Sequence, residues 1–115
     1  MSGLRCEMSW QELRERLVTL GLAVSEVRHD AVRLVGGQAR EEQGGIALFT
    51  GVNFLVMVEP DGWLRVTHSH LSRRHDDPGF RCATLTEALA FLRGVYSLVP
   101  AFDASQSLLA QRKTV

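Results

Sequence analysis

Lysine is almost missing from this chain of 115 residues: Lys113 is the only one, and every other basic residue is arginine. That bias points to a GC-rich bacterial genome, since arginine codons are GC-rich, before it points to guanidinium chemistry. Charge of either sign in excess is also missing, with 13 basic and 13 acidic residues. The balance excludes a protein-wide basic field for nucleic acid and an acidic one for cationic partners. Cysteine is scarce. Cys6 and Cys82 stand far apart with no CxxC pair, which excludes a disulfide scaffold; a single bridge is possible in principle, but two free thiols in a reducing cytoplasm are expected. No apolar run reaches the length of a membrane span, and the opening Met1–Met8 has no apolar signal core. A cytoplasmic protein with no membrane partner is therefore expected. Internal repeats are absent, and so is a Gly-x-Ser-x-Gly elbow. Neither glycine pair, Gly36–Gly37 or Gly44–Gly45, is followed by the Lys-Ser or Lys-Thr of a phosphate loop.

What is present centres on Val52–Leu71. Two runs rich in β-branched and aromatic residues flank Pro60-Asp61-Gly62, where proline presets φ and glycine tolerates a positive φ. Together these predict an antiparallel hairpin. Phe54, Val56 and Val58 alternate with Asn53, Leu55 and Met57, so the strand is apolar on both sides, as a central strand would be. On the return, Leu64, Val66, His68 and His70 share one side, and Trp63, Arg65, Thr67 and Ser69 share the other.

Upstream, Ser9-Trp10-Gln11-Glu12 reads as a capping box, with Trp10, Leu13, Leu17 and Leu20 on one helical face and Gly21 as the stop. Short strands are expected over 22–27 and 31–35, a polar surface loop over 36–45, and strand again over 46–50, with a bulge or bend at Gly51. Downstream, 72–82 reads as a polar connector. Thr84-Leu85-Thr86-Glu87 is a second capping box, and Leu85, Ala88, Leu89, Leu92, Val95, Tyr96 and Val99 follow at helical spacing up to Pro100. Gly94 suits a helix approached closely by a neighbour. Residues 1–100 are expected to form a single α+β domain: one antiparallel sheet of four to five strands with an N-terminal and a C-terminal helix packed on one face. Residues 101–115 read as a tail, partly helical around 107–111.

Three functional readings follow. Helices on one sheet face leave Leu55, Met57 and Trp63 on the other, and apolar side chains of that size suggest a partner surface. A non-enzymatic protein-interaction or regulatory domain is expected, binding a second copy of itself as a homodimer, or another protein, with no cofactor. The second reading is nucleic-acid binding, with Arg65, Arg73, Arg74 and Arg81 presenting forked donors to phosphate. The third is a metal-dependent enzyme. His68 and His70 on one side of a strand could converge on a metal, with His75 completing the set, although the His-x-His-x-Asp-His spacing is absent. Cys82, just before a helix start, could be an activated nucleophile or a buried structural thiol.

Overall fold

The computed structural model describes residues 7–70 and 78–103. Cys6, Arg73, Arg74, His75 and the 107–111 segment lie outside them. The described chain runs α1 (Trp10–Thr19), β1 (Ala23–His29), β2 (Val32–Gln43), β3 (Ile46–Val58), β4 (Leu64–His68), β5 (Phe80–Cys82) and α2 (Leu85–Ser97). The five strands form one open antiparallel sheet in sequence order, so β3 is its centre. This is the α+β class expected.

Register explains the core. Directly paired residues share a face, and three rows cross the sheet on the helix side: Val24–Gly36–Phe54–His68, Leu34–Val56–Val66–Phe80 and Val58–Leu64–Cys82. Against these rows pack Leu13 and Leu17 of α1 and Leu85, Ala88, Leu89 and Leu92 of α2, all buried. Gly36 interrupts its row because Phe54 lies over it. A Cβ there would stand 2.6 Å from the ring and 2.5 Å from the Ala23 carbonyl oxygen.

The helix ends differ. At α2 the capping box is complete: Thr84 Oγ1 accepts from the Glu87 amide while Glu87 accepts from the Thr84 amide. The Glu7 carboxylate adds an acceptor for the Leu85 amide at 2.7 Å. At α1 only half the box forms. Ser9 Oγ accepts from the Glu12 amide, but the Glu12 carboxylate turns to Arg16, 3.1 Å away. Gly94 is exposed, with nothing within 4 Å of a Cβ built on it, so close approach is not its reason.

The polar loop expected over 36–45 is instead strand. β2 continues to Gln43, and only Gly44 and Gly45, at φ +58° and +82°, make the turn to Ile46. Two successive positive φ values match the twist of the flanking strands, as a type I′ hairpin requires. A bulge does form at Gly51. Gly37 pairs with Asn53 and Ala39 with Thr50, so Gly51 and Val52 together oppose Gln38. The bulged Val52 peptide loses its ladder partners and finds side chains in their place. Its N–H donates to Gln38 Oε1 at 2.8 Å, and its carbonyl accepts from the Tyr96 hydroxyl at 2.7 Å. Gln38 Nε2 in turn donates to the Pro100 carbonyl. Beyond the bulge the β2–β3 ribbon leans back over the helix-free face, with Phe49 Cβ 3.1 Å from where a Gly37 Cβ would stand.

Candidate interaction surface

On the helix-free face the rows are Ser25–Val35–Leu55–Thr67 and Val32–Met57–Arg65–Arg81. They put four apolar side chains, Val32, Val35, Leu55 and Met57, into one patch beside two arginines. Leu55 is 37% exposed and Trp63, just before β4, 42% exposed. Met57 is half-buried. Of the three residues expected from the sequence to bind a partner, Leu55 and Met57 lie in this patch, and Trp63 lies at its border under Arg81.

The two arginines form the border of the patch. Arg65 and Arg81 oppose each other across β4 and β5, and Glu59, just past the end of β3, bridges them. Arg65 Nε donates to Glu59 Oε2 at 2.6 Å, and Arg81 Nε donates to Glu59 Oε1 at 3.0 Å. Arg81 also pairs with Asp61 and lies 4.3 Å over the Trp63 ring. Arg65 reaches the Pro78 carbonyl at 2.7 Å. Hydrogen bonds from Arg65, then from Arg81, hold the Glu59 carboxyl below its ordinary range. Two guanidiniums thus meet two carboxylates in a neutral, mutually braced network. Of the four arginines put forward for phosphate, Arg65 and Arg81 are engaged within it, so neither offers an unpaired fork, and Arg73 and Arg74 fall outside the described residues. Glu59 and Asp61 went unnoticed in the sequence. Their signal was position: Glu59 opens and Asp61 sits within the tight turn that returns the chain alongside Arg65.

The strand pattern that would set His68 and His70 on one side does not extend to His70. β4 ends at His68, so His70 is off the strand. The His70 amide donates to His68 Nδ1 at 3.1 Å, which occupies one ring nitrogen, and the ring lies against Phe91 at 5.6 Å on the helix side. Among the described residues no three His, Cys, Asp or Glu side chains are grouped to hold a metal ion. Cys82 is buried. Burial first, then Glu87 and Glu7, push its thiol up rather than down, the wrong direction for an activated nucleophile.

No helix among the described residues is long and apolar enough to cross a membrane. Comparison with protein-family models, curated proteins and solved structures finds no match to this chain.

Proposed function

We propose that this domain is a non-enzymatic protein-interaction module that acts as a homodimer through its helix-free sheet face. One observation carries the reading: both helices pack on the Phe54–Val56 side, leaving Val35, Leu55, Met57 and Trp63 together on the other. Trp, Met and Arg are the residue types enriched at protein interfaces. Arg81 stacked on Trp63 and tied to Glu59 is already ordered, so docking there loses little side-chain freedom. A two-fold axis brings such a patch onto itself and covers it with one contact. In multi-angle light scattering at micromolar concentration the protein is expected to run at twice its monomer mass. Met57→Asp, which places a carboxylate in the patch, is expected to shift it toward monomer. A monomeric mass for the unmodified protein would remove the reading.

A further inference from the structure

The sheet has four stretches of free strand edge among the described residues, and three of them are guarded. Unpaired strand edges invite pairing with other chains, and soluble proteins blunt them with charge, bulges or shortness. β1 carries Glu26, Arg28 and His29 and a register shift between Glu26 and His29. β5 is three residues long. The outer half of β2 carries Arg40, Glu41 and Glu42, with Arg40 and Glu42 paired at 3.2 Å. From Ile46 to Thr50 the outer half of β3 has none of these, because its bulge at Gly51–Val52 lies inward of that stretch. From Ile46 to Val58 that strand holds no charged residue and no proline, and β4 pairs with it only from Phe54 onward. Ile46, at its tip, is 64% exposed.

We infer that the outer edge of β3, Ile46–Thr50, pairs antiparallel with the same edge of a second copy of this chain, centred on Leu48; this rests on the homodimer reading above. The register follows from the turn. In a two-residue hairpin the residues closing the turn exchange both backbone bonds, and such pairs then alternate along the ladder. Gln43 closes on Ile46, so Ile46, Leu48 and Thr50 direct their peptide groups to β2. Ala47 and Phe49 direct theirs to the open edge. A two-fold axis at Leu48 sets each Ala47 against the partner's Phe49, and the four exposed donors and acceptors per copy are then all satisfied, with about four new hydrogen bonds. Side chains agree with that register. Small Ala47 faces large Phe49, β-branched Ile46 faces β-branched Thr50, and Leu48 meets its own copy. No charge meets a like charge, because the Arg40–Glu42 strands flank the pair on the outside.

Continuity with the open face supports the same occupant. Ala47 and Phe49 line a groove of about 430 Å³ together with Val35 and Leu55, so edge and face are one surface. Five residue pairs alone bury less than the roughly 1,200 Å² of a stable interface, so the edge pairing is one part of the dimer contact and not the whole of it.

Disulfide trapping tests the register. Leu48 would sit at a non-hydrogen-bonded pair on the axis, where Cα atoms are about 4.5 Å apart, within disulfide range. In a Cys6→Ser background, Leu48→Cys is expected to convert to a covalent dimer on mild oxidation, while Arg40→Cys on the guarded edge stays monomeric. Hydrogen exchange on the unmodified protein needs no substitution. The Ala47 and Phe49 amides are expected to exchange about tenfold or more faster when dilution dissociates the dimer, with Leu48 protected throughout by its bond to β2. A dimer of the right mass that neither traps through Leu48→Cys nor protects Ala47 and Phe49 overturns the edge pairing and leaves the face-mediated dimer standing. A monomeric mass at all concentrations overturns both.

Discussion

The same substitution, glycine to alanine, is expected to change stability in opposite directions at two places in this chain. At Gly36 a new methyl would stand 2.5 Å from the Ala23 carbonyl oxygen and 2.6 and 2.7 Å from two atoms of the Phe54 ring. Neither neighbour can yield cheaply. Ala23 is fixed by its pairing with Gly37, and Phe54, 2% exposed, has the Tyr96 ring against it edge-on, centroids 6.2 Å apart. Overpacking of this kind costs about 1–3 kcal/mol, and the backbone contact puts Gly36→Ala at the upper end. At Gly94 the methyl meets nothing within 4 Å, and the residue is inside α2 with no positive φ. There the substitution only removes unfolded-state freedom and restores helix propensity, so Gly94→Ala is expected to gain about 0.5–1 kcal/mol. Urea unfolding followed by far-UV circular dichroism separates the two. With a slope of about 1.5 kcal/mol per molar, Gly36→Ala lowers the midpoint by more than about 1 M, and Gly94→Ala raises it by about 0.5 M. A Gly36→Ala loss under about 0.5 kcal/mol would show that Phe54 does not lie over β2, and the register of the central strands would have to be redrawn.

Leu89→Ala, at a buried position on α2, is expected to lose about 2–5 kcal/mol in the same assay; a near-neutral result would mean the helix presents another face. Tyr96→Phe removes the donor to the Val52 carbonyl and is expected to lose about 1 kcal/mol, with faster exchange at the bulge; unchanged exchange there would count against the clamp. Glu59 titrates below its ordinary value of 4.5. Its stabilising contribution is therefore complete above that value and is lost as pH falls through the depressed folded value. Glu59→Gln is expected to flatten the pH dependence of the unfolding midpoint below about 4.5, and parallel acid profiles for the two proteins would discount the network.

The elements that could be read from sequence alone are those whose determinants are neighbours in the chain. Thr84 and Glu87 are three residues apart and cap α2 as their spacing implies. Pro60 and Gly62 sit inside the turn they direct, and its Glu59 and Trp63 backbone groups close on each other at 2.7 Å. What could not be read depends on residues brought together by folding. Gly36 and Gly37 read as loop because glycine weakens strands, yet both are buried in one, under Phe54 and Phe49, which arrive from a different strand. Gly44–Gly45 was legible as a two-residue hairpin turn, but the charged run before it masked the alternation. Glu7 reaches the start of α2 from 78 residues away, and nothing local marks it. Arg81 read as part of an anion site because Glu59 and Asp61 become its neighbours only once β5 lies beside β4.

The bulge at Val52 also determines how change can spread through this protein. Both polar groups of that peptide are held by side chains from outside β3, one of them 44 residues further along the chain. Gln38, the other holder, is anchored to the segment following α2. The ribbon beyond the bulge is therefore aimed like a lever on a joint whose set screws are elsewhere. A substitution at Tyr96, or a displacement of the Pro100 carbonyl, could swing Ile46 and Phe49 through an arc without altering a single residue of the ribbon. Variation near the end of α2 would then surface as an altered course of the ribbon, and a screen confined to the ribbon's own residues would never find its source.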